Sequence, residues 1–369
     1  MSIDLSRFLD DAAADIINIA SRFYLGNPQG RRAMAKMAQG VYKGTVIRKK
    51  HEKAGIHIPA FLIASIASSC NLRCTGCYAW ESGSCGSGEE DALTADQWAG
   101  VFNQASDAGI SFILLAGGEP LMRRDVMKAA AKFSNIIYPV FTNGTLINKD
   151  WLDFFDAHRN IIPVLSIEGG AEKTDARRGS GVYEQVFRGI QEMSGRGILF
   201  GASITVTTEN MHEVTAPVFA DELREMGCGV VFYVEYVPVE DDTEHLLLGG
   251  SELEVLAERV DSLRQDKNNK SMAILSFPGD EEAMGGCLAA GRGFFHINPR
   301  GGAEPCPFSP YSEMNLKDNT LLEVLGSSFF EQIQRVSAAG ALNHKGGCTL
   351  FQCKEDVEKA MQTNSAAQY

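Results

Sequence analysis

No stretch of the chain approaches the ~20 consecutive apolar residues that a membrane-spanning helix needs. The first residues, MSIDLSRFLDDAAADIINIA, carry Asp4, Asp10, Asp11 and Asp15 where a secretion signal needs a basic end and an apolar run. Basic charge is short as well. Against 47 Asp and Glu there are only 34 Lys and Arg, and the net charge of −13 excludes a general attraction to nucleic acid or to anionic membrane. Nine cysteines in 369 residues are too few for a secreted disulfide scaffold, and an odd number leaves one unpaired. Internal repeats and low-complexity tracts are missing too. These absences point to a cytoplasmic chain with reduced thiols, no membrane span and no nucleic-acid partner. Core material is plentiful: 44% hydrophobic and 22% charged residues exclude a disordered or fibrous protein and suit one large domain with an appendage, or two domains.

Three regions follow from the patterning. Residues 1–58 read as a helical segment, with Phe8, Ala12, Ile16, Ile19 and Phe23 at helical spacing. Arg31, Arg32, Lys36, Lys43, Arg48, Lys49, Lys50 and Lys53 then form a basic stretch in an acidic protein. A solvated helix packed by its apolar stripe is the plain reading; binding of an acidic partner, leader peptide or lipid headgroup is the other. Over 59–245, short apolar runs alternate with helical stretches such as Thr94–Ala108. The runs are FLIASIA (61–67), FILLA (112–116), IIYPVF (136–141), IIPVLSI (161–167), LFGASITV (199–206) and VVFYVEYV (230–237). Six βα units with buried parallel strands are too few for a closed eight-fold barrel, so the expected α/β fold is a partial (β/α)6 barrel. Over 246–369, a helical stretch at 251–265 and the polar DKNNK (266–270) precede short segments: AILSF, GFFHINP, a Gly301-Gly302 turn and AEPCPF. They read as a small hairpin-bearing C-terminal domain.

Seven of the nine cysteines fall into two groups, an early CNLRCTGC and a late set. Cys70, Cys74 and Cys77 directly follow the first predicted strand, in the kind of loop where βα barrels place their active sites. Three thiolates on a tight loop can hold three irons of a cubane and leave the fourth iron open to a reactant. A zinc knuckle completed by Cys85, or three incidental buried thiols, would account for the same loop.

The C-x3-C-x2-C spacing resembles the radical S-adenosylmethionine (radical SAM) family. The family often has an aromatic residue before the last cysteine; here that position is Gly76, and Tyr78 follows the cysteine instead. LAGGEPLMR (115–123) resembles the family's GGEP motif, FTNG (141–144) its TNG, and LSIEGG (165–170) its SxDG with Glu168 in place of Asp. The four motifs end four consecutive predicted strands, and the resemblance spans about residues 60–240.

The resemblance implies a [4Fe–4S] cluster on Cys70, Cys74 and Cys77 with S-adenosylmethionine (SAM) at its open iron. It also implies an electron donor such as flavodoxin or ferredoxin, and release of a 5′-deoxyadenosyl radical that abstracts a substrate hydrogen. Expected SAM contacts are Tyr78, Gly117, Gly118, Glu119, Pro120, Asn143, Ser166, Glu168, Arg178 and Ser203, with Glu119 receiving the SAM ammonium. Thr205 is an alternative to Ser203, and Arg177 shares the place of Arg178. Polar residues that satisfy strand ends, and a surface salt bridge, are equally good accounts of the serines and arginines. Cys287-x13-Gly301-x4-Cys306 resembles the opening of the family's SPASM and twitch extensions, and Cys348 and Cys353 complete four thiolates for an auxiliary [4Fe–4S] cluster; zinc would suit the same four. Gly301 stands where such a hairpin needs positive φ. Cys228 reads as a small buried hydrophobe.

Members with such extensions modify peptides or tailor small molecules and cofactors, so the expected partner is a small-molecule or peptide substrate. The competing class is a non-catalytic iron–sulfur or zinc-stabilised electron-transfer or binding protein, which leaves the GGEP motif without a purpose.

Overall fold

The computed structural model describes residues 17–26, 28–86, 88, 90–341 and 347–367. Six strands lie within two residues of the expected runs: β1 (Phe61–Ala67), β2 (Phe112–Gly117), β3 (Tyr138–Thr142), β4 (Ile161–Ile167), β5 (Phe200–Val206) and β6 (Cys228–Glu235). All are parallel neighbours in sequence order, so their carboxyl ends share one rim. Helices between them bury apolar faces against the sheet. In helix Ala95–Ala108 these are Trp98, Val101, Phe102 and Ala105, and Thr94 with Gln97 forms the capping box that starts it.

The rhythm runs one strand further than expected. AILSF is β7 (Ala273–Phe277), parallel to β6, and the helix Gly250–Gln265 before it packs by Leu256, Val260 and Leu263. The polar DKNNK that looked like a break is a short 3-10 turn, with Asp266 accepting the Asn268 amide and Asn269 turned inward on the Leu263 carbonyl. A five-residue edge strand carries too little alternation to declare itself from sequence.

The expected C-terminal hairpin joins the same sheet. Strands β8 (His296–Ile297), β9 (Gly302–Glu304) and β10 (Met314–Asn315) are antiparallel, and β8 lies parallel to β1 on its outer side. Gly301, at φ +92, supplies the hairpin's left-handed turn. A buried chain ties the hairpin to β1: Ser65 Oγ meets His296 Nε2 at 2.8 Å, His296 Nδ1 meets Glu304 Oε2 at 2.7 Å, and Asn298 donates to Glu304 at 2.6 Å. The order β10-β9-β8-β1-β2-β3-β4-β5-β6-β7 is linear, so the barrel stays open.

At the opposite rim, the strand starts are covered. Residues 17–24 are helical and carry Ile19 and Phe23; Phe8, Ala12 and Ile16 lie outside the described residues. This helix and the next, Pro28–Lys53, bury Ile19, Tyr24, Met34, Met37 and Val41 against Ile137, Ile162 and Leu199. Of the basic stretch, Arg48 turns inward to the Gly109 carbonyl, while the others are exposed. The plain reading of that stretch therefore fits its packing.

Candidate active site

The first four strand ends converge on one wall of a cavity of about 420 Å³, lined by Cys70, Cys74, Cys77, Tyr78, Gly117, Gly118, Asn143, Ser166, Arg178 and Ser203. The wall is held by backbone contacts. Gly118 N donates to the Ala67 carbonyl and Glu119 N to the Ser69 carbonyl, both at 2.8 Å. A Cβ on Gly118 would lie 2.1 Å from the Ser69 oxygen, so the GGEP turn can press on the cysteine loop only as glycine. Gly76 has φ +65, and a side chain there would strike the Tyr236 ring, so a ring from the end of β6 fills the space beside the last cysteine.

Glu119, Pro120 and Glu168 do not line the cavity; the two carboxylates stand behind it. Glu119 is fully buried and accepts from Leu121 N at 2.9 Å, Thr142 Oγ1 at 2.7 Å and Asn143 N at 2.8 Å. Burial pushes its carboxyl up, opposed by these donors and by the Arg178 charge. Glu119 thereby joins the GGEP and TNG turns. Asn143 continues the chain through Asn71, which donates to Thr145 at 2.8 Å. Glu168, also buried, accepts from Arg177 Nη1 at 2.6 Å, Arg178 Nε at 2.8 Å and Thr205 N at 3.2 Å. Arg177 meanwhile exchanges bonds with the backbone of Thr75, inside the cysteine loop.

The rim is electrostatically mixed. Burial raises the Cys74 thiol while Arg178 and Arg177 oppose it; burial raises Cys70 to about 11, with Glu119 and the neighbouring thiols adding to the rise. Among the described residues no three His, Cys, Asp or Glu side chains converge as a single metal ion needs. A cubane asks for less convergence, because each thiolate binds a different iron. Three thiols on one cavity, beside a Gly-lined wall and two guanidinium groups, fit a cluster with an amino-acid carboxylate next to it.

Of the late set, Cys287 and Cys306 are buried, and neither these two nor Cys348 and Cys353 line the cavity. After burial, Cys348 raises the Cys287 and Cys306 thiols and Cys287 also raises Cys306, whereas Cys353 lies against Gly340 and is raised by burial and by Asp356. Cys228 is buried and donates to the Val230 carbonyl at 3.2 Å, as a small core residue does.

Sequence reasoning missed Tyr236, which packs on Gly76, and Glu240, which accepts the Gly76 amide. It also missed Asn210, which donates to the Glu168 and Thr205 carbonyls, and Glu235, Asp280 and Glu281, which line the cavity. None of these has a motif around it.

The chain is similar to several known proteins. The AdoMet-dependent heme synthase of Methanosarcina barkeri is 26% identical over 293 residues, covering 72% of this chain and 82% of that protein. The mycofactocin maturase MftC of Mycobacterium tuberculosis is 23% identical, covering 80% and 79%. The structure of Streptococcus suis SuiB bound to S-adenosylmethionine shares the fold with a TM-score of 0.64 at 19% identity, over 84% of this chain and 74% of that one. No helix among the described residues is long and apolar enough to cross a membrane. The radical SAM superfamily model matches residues 65–216, so the chain carries a radical SAM domain, and the enzymes of that superfamily use a [4Fe–4S] cluster and SAM.

Proposed function

We propose that Cys70, Cys74 and Cys77 hold the catalytic cluster, and that the cavity beside them receives SAM and then a substrate. When bound, that pair supplies a 5′-deoxyadenosyl radical for hydrogen abstraction. The observation that carries the assignment is the opening of all three thiols onto one cavity walled by the GGEP, TNG and SIEGG strand ends. Gly117 and Gly118 leave room for the methionine end of SAM, and Asn143 offers its amide there. Ser166 and Ser203, paired across β4 and β5, present hydroxyls for the ribose. Arg178, held by Glu168, faces a carboxylate; Tyr78 packs edge-on to Phe308 at 5.4 Å and closes the wall. Glu119 orients the two turns instead of touching SAM.

The late cysteines suit an auxiliary [4Fe–4S] cluster formed by Cys287, Cys306 and Cys348 with Cys353 as the more distant fourth. Its role would be electron relay or support of the segment that follows β7. A cytoplasmic flavodoxin- or ferredoxin-like donor suits the reducing compartment that these thiols need. Relatives include a heme synthase and a peptide maturase, and SuiB has been solved bound to the precursor peptide SuiA, so porphyrin-like cofactor precursors and peptides are the two substrate classes in view. A non-catalytic iron–sulfur or zinc protein would leave the cavity beside the cysteines without a use.

The test is anaerobic incubation of the reconstituted protein with SAM and a strong reductant. The parent should form 5′-deoxyadenosine, and the protein with Cys70, Cys74 and Cys77 all changed to Ala should form none while keeping its circular dichroism. Continued 5′-deoxyadenosine from the triple variant would refute the assignment.

A further inference from the structure

The cavity has a second polar corner, at the β6–β7 end of the sheet, next to the β1–β5 wall that the cluster and SAM would occupy. Glu235 ends β6, and the turn after β7 carries Asp280 and Glu281; all three line the cavity. Carboxylates in a group do not make a site, so their partners decide. Asp280 is engaged, accepting from Arg264 Nη2 at 2.7 and 2.8 Å and from Ser276 N at 2.8 Å. Glu281 accepts the Leu288 amide at 2.9 Å, has the Arg292 charge nearby and bonds the Cys287 thiol.

Glu235 differs. It is only 6% exposed, its Oε1 lies beside Gly279, and its buried Oε2 has no hydrogen-bond partner among the described residues. A buried acceptor left empty beside an apolar cavity is a standing cost that the fold itself does not repay. A neutral donor would satisfy the oxygen but not offset the Asp280 charge that acts on Glu235. A cation does both. The surrounding wall is apolar and aromatic, with Phe232, Val234, Leu275, Phe277 and Met284, which suits a hydrophobic body and offers ring faces to a positive charge.

We propose that Glu235 anchors a protonated nitrogen of the substrate, so that the cavity selects an amine-bearing molecule with an apolar or aromatic body and rejects a carboxylate-rich one. The proposal rests on the radical SAM reading of the same cavity and chooses within it: a peptide amino group fits, and a macrocycle carrying several carboxylates does not. Burial, opposed by the Gly347 and Gly279 amides and reinforced by Asp280, pushes the Glu235 carboxyl up to about 7. A cation beside it would favour its charged form.

The experiment uses the reconstituted full chain with SAM bound and measures calorimetric binding of 2-phenylethylammonium, 2-phenylethanol and 3-phenylpropionate. The ammonium should bind most tightly and the propionate least. Glu235→Gln should weaken the ammonium by about tenfold or more and leave SAM affinity as it was. Propionate binding as tight as ammonium, unchanged ammonium affinity in Glu235→Gln, or an equal loss of SAM affinity in that variant would each overturn the proposal. Should the variant misfold, the ranking of the three probes on the parent still decides. 5′-Deoxyadenosine formed by the parent reads the underlying chemistry separately, so a protein that cleaves SAM without preferring the ammonium condemns the role of Glu235 alone.

Discussion

The two cysteine groups offer the same side chains in different surroundings. Cys70, Cys74 and Cys77 are partly exposed and line a cavity, whereas Cys287 and Cys306 are buried and line none. An iron held by the first group would face the cavity, and one held by the second would not, although Cys348 and Cys353 are themselves partly exposed. The difference comes from what carries them. The early loop hangs off the end of a parallel strand, where the barrel opens. Cys306 directly follows β9, and the hairpin's Ser65–His296–Glu304 chain is sealed against β1. Openness is thus a property of position in the barrel, not of the thiols.

The sharpest way to break this comparison is to count iron. Anaerobically reconstituted parent protein should hold about eight irons per chain, falling to about four when either cysteine group is replaced by Ala. Only loss of the early group should end SAM cleavage outright. Four irons in the parent, or zinc retained after loss of the early group, would leave the late set without a cubane.

The next largest effect should come from Glu168→Ala, which removes the carboxylate from two guanidinium groups at the open site. Breaking a buried pair by removing one partner costs about 3–5 kcal/mol, so the melting temperature should fall and SAM affinity with it. A variant that melts like the parent would show that Arg177 and Arg178 find other partners.

Glu119→Gln should cost less, about 1–3 kcal/mol, since one of its three acceptor bonds is replaced by an amide that donates where an acceptor is needed. Stability and SAM affinity should drop together. Loss of affinity at unchanged stability would instead return Glu119 to direct contact with the SAM ammonium.

The smallest effect lies at the edge of the site. Arg123 bonds to the Ile66 and Leu93 carbonyls and to Asp125, whose carboxyl it holds below the usual 3.8. A folded value below the unfolded one means stability that is present above the unfolded pKa and is lost as pH falls through the folded one. Asp125→Asn should therefore cost ~0.5 kcal/mol at neutral pH, since the pair is half exposed. The difference should vanish in acid; a difference that persists there would assign it to packing.

Much of this molecule is legible in its residues. Apolar runs of five to eight residues separated by helical stretches specify a parallel α/β sheet, because each run is too short for a helix and buried on both faces. Cysteine spacing and the GGEP, TNG and SIEGG strings sit at strand ends, where the loop must be short and the backbone bare, so local sequence carries them. β7 escaped because an edge strand of five residues has a weak pattern, and the sheet it completes exists only in three dimensions.

The sequence by itself determined which residue types were available: thiols for iron, glycines for close approach, carboxylates and guanidinium groups for charge. Tertiary structure alone decided which of them meet. It put Glu119 and Glu168 behind the wall as braces, placed Tyr236 over Gly76, kept the late cysteines off the cavity lining and left one carboxylate oxygen of Glu235 without a donor. Each of these depends on elements from distant parts of the chain arriving at one place, and burial, hydrogen bonding and access are properties of that arrival, with no counterpart in the order of residues.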